Sequence, residues 1–177
     1  MKFPEAERLA RLRLIRTEGV GPISFSRLVA RFGSGAAALA ALPDLDSGRG
    51  KALAPSPVAQ AMAEFAAAEA VSATHIFLGE AAYPPRLADL AEAPPVLLAV
   101  GDMALAARPS VVIVGARNAS AAGQLLARTL AQGLGEAGYA IVSGMARGID
   151  TAAHAASLTT GTIACIAGGL DIAYPPE

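Results

Sequence analysis

Apolar residues recur at helical spacing through residues 4–72, then collapse into short unbroken runs separated by helical stretches from residue 110 onward. Leu9, Leu12 and Ile15, with Leu14 alongside, make a helical stripe, and Arg8, Arg11, Arg13 and Arg16 lie mostly off it. Pro4 suits a first helical turn. Glu18-Gly19-Val20-Gly21-Pro22 breaks this helix, and Ile23, Leu28, Val29 and Phe32 carry a second one ending near Gly33. A short alanine-rich helix over Ala36–Leu42, a loop rich in Asp, Gly, Ser and Pro, and a helix over Val58–Ser72 follow.

His75–Leu78 is strand-like, and prolines 84, 85, 94 and 95 lead into a second apolar run, Val96–Val100. This middle segment reads as a connector that starts a second domain and supplies an edge strand, where prolines are tolerated. Beyond Ser110 the order is strand Val111–Val114, helix from about Ser120 to Ala137, strand Tyr139–Ser143, helix Ile149 to about Leu158, and strand Ile163–Ala167. Continuous β-branched runs alternating with helices indicate a buried parallel sheet. Three strands and two helices are roughly half of a doubly wound sheet, so the chain is expected to be the front part of a longer protein.

Composition narrows the class. Of the 177 residues, 54% are hydrophobic and 16% charged, enough for a core and unlike a disordered chain. No apolar run approaches the length of a membrane span, and Met1–Glu5 lacks a signal-peptide core, so a cytoplasmic protein without membrane contact is expected. Cys165 is the single cysteine, which excludes an internal disulfide and reads as a small apolar residue in a buried strand. The formal net charge is −1. No broad basic field exists, and any nucleic-acid binding must rest on a few local contacts.

Two glycine-bearing turns supply candidates for those contacts. In Val114-Gly115-Ala116-Arg117-Asn118-Ala119-Ser120, Gly115 permits close approach, Ser120 can cap the next helix, and Arg117 offers a planar fork that matches a phosphate. The dinucleotide fingerprint is absent, and an arginine paired to a carboxylate on the sheet edge is an equal alternative. In Ser143-Gly144-Met145-Ala146-Arg147-Gly148-Ile149-Asp150, Gly144 and Gly148 allow unusual backbone angles, Ser143 can hydrogen-bond, and Arg147 is expected to point into the crevice. Both turns fall at the carboxyl edge of parallel strands, where ligands bind and helix N-termini present N–H groups to anions.

Asp150 reads as a capping or arginine-positioning carboxylate ahead of a general base. His154, four residues on, is placed to hydrogen-bond it and is taken as structural, and no metal site is expected. Gly168-Gly169-Leu170-Asp171 is a third glycine turn on the same edge, open to an anion-binding and a plain turn reading. The Glu18–Pro22 break resembles the hairpin of helix-hairpin-helix DNA modules, and a glycine hairpin between packed helices is at least as common.

Taken with Gly123, Ala153-His154, Thr162-Ile163-Ala164, Gly169-Leu170-Asp171, Tyr174-Pro175-Pro176-Glu177, Tyr83-Pro84-Pro85-Arg86-Leu87, Pro94-Pro95-Val96-Leu97 and Gly101-Asp102, the two turns resemble the bacterial DNA-processing protein A family (DprA, also called Smf). The resemblance implies an α/β architecture: a sterile-alpha-motif-like or helix-hairpin-helix-like module over residues 1–73, a connector and edge strand over 74–109, and the first half of a Rossmann-like parallel sheet over 110–177. It implies a non-catalytic, cofactor-free protein of natural transformation that binds incoming single-stranded DNA, helps load the RecA recombinase, and forms a homodimer at full length. The arginine of the family's Gly-x-Arg turn carries over to Arg117. Arg147 is inferred as a second phosphate contact, with Gly115, Ser120, Ser143, Gly144 and Gly148 around them. The family's later strands are missing here, which bears on DNA affinity, dimerisation and RecA contact.

Two other classes compete. A nucleotide-phosphate-binding enzyme of a related Rossmann-like family would need a Pro-Gly-Gly-x-Gly-Thr turn and a glutamate, where this chain has Ala167-Gly168-Gly169-Leu170-Asp171. A scaffold that recruits a protein partner through the helical module would show no nucleic-acid affinity.

Overall fold

A computed structural model describes residues 1–45 and 53–170, which divide into two compact units, Met1–Gly101 and Asp102–Glu177. In the first unit, α1 (Glu5–Ile15), α2 (Pro22–Phe32), α3 (Gly35–Ala41) and α4 (Val58–Ala70) match the expected helices within two residues at each end. Leu14, Phe25, Ala38 and Leu42 form the centre of one core, and Leu12, Ala61 and Phe77 of another. Leu12 and Leu14 point to different cores, so α1 is apolar on two sides, and its arginines cannot all reach solvent.

The N-terminal helix therefore corrects one reading. Arg8 and Arg11 are buried, each 8% exposed. Arg8 reaches Glu80 Oε1 at 2.6 Å and the His75 carbonyl at 2.8 Å, with its guanidinium 5.0 Å from the centre of the Phe77 ring. Arg11 donates to Glu7 Oε1 and to the Leu78 carbonyl and lies 4.1 Å over the Phe3 ring. Glu80 also accepts from the N–H groups of Phe3 and Phe77, so the buried charge is fully hydrogen-bonded. Burial pushes the Glu80 carboxyl up, but the Phe77 and Phe3 N–H groups and the Arg8 guanidinium outweigh it and hold it below the usual carboxylate value.

The middle segment forms β1 (Thr74–Phe77), a one-turn helix α5 (Pro85–Ala88) and β2 (Val96–Ala99). The strands pair with each other, antiparallel, in register His75 to Leu98, and make their own two-stranded sheet. The edge strand expected for the parallel sheet is thus a separate ribbon that contacts α4 within the first unit. Tyr83 closes it by donating to the Pro94 carbonyl at 2.8 Å.

The second unit alternates as expected: β3 (Ser110–Val112), α6 (Ala121–Glu136), β4 (Ala140–Ser143), α7 (Ile149–Ser157) and β5 (Thr162–Ala164). The strands are parallel in the order β3-β4-β5, with Val112, Val142 and Ile163 side by side. Ile141 is fully buried with Ala131 of α6 and Ala153 of α7, small residues that let both helices sit close to the sheet. At the opposite edge Arg108 donates to the carbonyls of Thr160 and Gly138, tying two loops together. The strands end earlier than the apolar runs, which leaves residues 113–120, 144–148 and 165–170 as loops on the carboxyl edge.

Candidate nucleic-acid interface

The two arginine turns lie against each other. Gly148 has φ 82°, a left-handed conformation that side chains disfavour, and a Cβ there would land on the carbonyl oxygens of Ala116 and Arg117. The Ile149 N–H donates to the Ala116 carbonyl at 3.3 Å. A Cβ on Gly115 would fall 2.7 Å from Ile149 Cγ1, so this glycine seats the first turn on the start of α7. The Gly148 Cβ position is 2.9 Å from the Arg117 carbonyl carbon. Adding ideal bond lengths and one α-carbon step places the α-carbons of Arg117 and Arg147 within about 10 Å.

Both arginines are exposed, and among the described residues no carboxylate lies within ion-pair distance of either. The alternative of an arginine locked to a sheet-edge carboxylate therefore finds no partner among those residues. The main-chain N–H groups of Gly115, Gly144 and Gly148 likewise make no hydrogen bond there. Ser120 caps α6, its Oγ accepting from the Gly123 N–H at 3.2 Å, and remains exposed at the same rim.

Other residues of the second turn hold its shape. Ser143 is only 1% exposed and its hydroxyl donates to the Ile113 carbonyl at 2.6 Å, continuing the β3–β4 pairing past the last strand residue. From sequence this hydroxyl is free to meet a ligand. Its single proton is taken by the sheet instead. Asp150 is buried in the first turn of α7, where the helix dipole favours a carboxylate, and its Oδ2 accepts from the Ala146 N–H at 3.4 Å. A Cβ on Gly144 would come 2.8 Å from that oxygen, so the glycine makes room for Asp150.

His154 does not bond Asp150. Its Nε2 faces the Gly144 carbonyl at 2.7 Å and must donate to it, while Nδ1 lies 2.7 Å from Thr162 Oγ1. The ring braces the end of β4 against β5, a role that i,i+4 spacing could not reveal because both partners come from other elements. Cys165, expected in a buried strand, is exposed just beyond β5. The third turn reaches the same edge, its Cys165 N–H donating to the Ser143 carbonyl, and Asp171 of that motif lies outside the described residues. Among the described residues there is no group of three metal-ligating side chains and no helix long and apolar enough to cross a membrane.

Comparison with known proteins bears on the family and the fold. Residues 74–177 match the family model described as DNA recombination-mediator protein A, and residues 5–67 match the DprA-like N-terminal HHH domain. The chain is 45% identical over 95 residues to the DNA processing protein DprA of Streptococcus pneumoniae, covering 52% of this chain and 33% of that protein. It is 42% identical over 98 residues to DprA of Bacillus subtilis, covering 54% of this chain and 33% of that protein. The X-ray structure of Streptococcus pneumoniae DprA superposes with a TM-score of 0.68 at 28% identity over 99% of this chain and 62% of that one. The matches thus span about a third of the curated relatives and under two thirds of the solved structure. A helical module of the HHH type followed by a parallel α/β sheet, with both family models matched end to end along it, places this chain in the DNA recombination-mediator protein A (DprA/Smf) family.

Proposed function

We propose that the chain grips the backbone of single-stranded DNA at the carboxyl edge of the β3–β5 sheet, without catalysis. The observation that carries this is the pairing of two exposed guanidiniums, Arg117 and Arg147, on turns locked together through Gly148, with no carboxylate partner among the described residues. Each guanidinium takes one phosphate, and the N–H groups of Gly115, Gly144 and Gly148 line the cradle between them. Ser120 adds a hydroxyl at the rim, whereas Ser143 shapes the turn from inside. Asp150 already occupies the first turn of α7, so the anion sits outside the helix end, on the arginines. In this reading residues 110–177 carry the DNA site, and the helices of residues 1–73 with the β1–β2 ribbon form the other compact unit.

For the intact protein the reading extends to a cytoplasmic homodimer that receives DNA strands entering during natural transformation and helps load the RecA recombinase onto them. Family membership and the printed descriptions of its relatives as DNA processing proteins support the recombination setting.

Fluorescence anisotropy with labelled oligo-dT tests the site. Binding is expected to weaken with salt, and Arg117→Ala to lower affinity and flatten the salt slope by about one unit. Unchanged affinity and slope in that variant would reject the assignment of Arg117. Cleavage of nucleotide phosphates by the chain would reject the non-catalytic reading in favour of an enzyme.

A further inference from the structure

The arginine turn between β4 and α7 is held from inside by three side chains of α7, each of which takes a different main-chain atom. His154 Nε2 donates to the Gly144 carbonyl at 2.7 Å, Thr151 Oγ1 donates to the Ala146 carbonyl at 2.9 Å, and Asp150 Oδ2 accepts from the Ala146 N–H at 3.4 Å. Residues 150, 151 and 154 fall within little more than one helical turn, so a short stretch of α7 fixes three consecutive peptides of the loop.

A peptide group is planar and trans, so its C=O and N–H point in opposite directions. Drawing the Gly144 carbonyl toward His154 therefore turns the Met145 N–H away from α7, and drawing the Ala146 carbonyl toward Thr151 turns the Arg147 N–H the same way. Neither N–H has a hydrogen-bond partner among the described residues, and both Met145 and Arg147 are exposed. The Asp150 bond acts on the peptide between them and turns the Met145 carbonyl outward. Two free donors against one acceptor, beside the Arg147 guanidinium, leave the turn attractive to an anion. Releasing either inward carbonyl lets that peptide rotate and present an acceptor where a donor stood, with no change in charge.

On the reading of this rim as a DNA site, which it presupposes, we infer that His154 and Thr151 are positioning residues: they set the affinity by holding the Gly144 and Ala146 carbonyls inward, so that the Met145 and Arg147 N–H groups face a phosphate. Both act through main chain and not on the strand itself. His154 has a second duty, because its Nδ1 lies 2.7 Å from Thr162 Oγ1, so deleting the ring mixes a loss of bracing with a loss of positioning. Side-chain shape separates the two. Glutamine carries its amide nitrogen near the place of Nε2 and keeps a donor for Gly144, whereas asparagine carries its amide near the place of Nδ1 and keeps a partner for Thr162.

Anisotropy with labelled oligo-dT on the whole chain, beside thermal melts of each variant, tests this. His154→Gln is expected to bind within about twofold of the wild type, while His154→Asn and Thr151→Val each lose about three- to tenfold, the effect of one hydrogen bond, and Thr151→Ser restores the affinity. All of these variants keep both arginines, so their salt slopes should match the wild type, where Arg117→Ala flattens the slope by about one unit. Arg108→Ala loosens two loops at the far edge of the same sheet and supplies a destabilised variant with the site untouched, whose affinity should not follow its melting temperature. Equal affinities of His154→Gln and His154→Asn would overturn the positioning role of His154 and leave it a brace. Wild-type affinity in Thr151→Val would overturn that of Thr151. Absence of oligo-dT binding by the unsubstituted chain, or binding that Arg117→Ala leaves intact, would instead strike at the DNA site itself, whatever the α7 variants do.

Discussion

In the Met1–Gly101 unit, Arg8, Arg11, Arg13 and Arg16 each end on a carboxylate or a carbonyl of the same unit, whereas Arg117 and Arg147 at the carboxyl edge of the parallel sheet end in solvent. The residue type is the same and the charge is the same. What differs is whether the fold itself satisfies the guanidinium. A guanidinium buried with acceptors on several N–H groups is part of the folded state's hydrogen bonding, and its removal leaves a partner charge stranded. One that is held in place by its backbone but left without a partner keeps its full capacity for an outside anion. Counting basic residues along the chain would have ranked the N-terminal helix first as a DNA surface, which the burial of Arg8 and Arg11 argues against.

The comparison can be broken most forcefully at Glu80. Glu80→Ala strands the buried Arg8 and two main-chain N–H groups, and should cost about 3–5 kcal/mol of stability, read as a lowered denaturant midpoint. A loss under 1 kcal/mol would show that this arginine is as free as Arg117. The double substitution of Arg117 and Arg147 by alanine should do the reverse. DNA affinity is expected to fall by about 2–3 kcal/mol, roughly 30- to 150-fold, while stability changes by less than about 0.5 kcal/mol.

A smaller effect separates capping from binding at Ser120. Ser120→Ala should cost about 1 kcal/mol through loss of the α6 cap, and a fall in DNA affinity beyond that of an equally destabilised variant elsewhere would assign the hydroxyl to the site. The smallest effect is expected at the half-exposed Arg16–Glu64 pair, where Arg16→Ala should cost under about 1 kcal/mol.

Acid gives a further contrast. Burial lowers the proton affinity of His75 more than Glu64 raises it, so the ring is neutral and its Nε2–H donates to Glu64 as a hydrogen bond at 3.3 Å. The Arg16 hydrogen bond holds the Glu64 carboxyl low, and the net of burial and hydrogen bonds lowers Glu7 and Glu80 as well. For every one of these groups the unfolded chain binds protons more readily than the folded one. Stability of the first unit should therefore decline as pH drops below the usual histidine range and again through the carboxylate range, with no recovery in between. Circular dichroism melts from pH 7 to 3 check this, and a rise in stability on acidification to pH 5 would contradict the neutral state of His75.

Much of this was legible in the sequence. The helices and strands were readable because each carries its own period, and the two arginine turns could be placed at the carboxyl edge because each lies between a β-branched run and a helical stretch. The buried network was not. Arg8 and Glu80 are 72 positions apart, and the stripe over Leu9, Leu12 and Ile15 showed one apolar face of α1 while its second face was made by Leu14, Ala10 and the α3 contact. His154 was assigned to its helical neighbour because spacing along one helix is all a sequence offers, while its partners Gly144 and Thr162 come from the ends of two strands. The β1–β2 ribbon was missed for a related reason: proline-led strands mark an edge without saying of which sheet.

Gly148 carries a consequence for how the rim can change. Because main chain meets main chain there, with no side chain as a compressible spacer, the gap between the two cationic stems is set by the backbone alone. The Ile149 N–H bond to the Ala116 carbonyl ties the start of α7 to the first loop at the same point. Two digits share a single knuckle, and any substitution that thickens the knuckle would spread the grip.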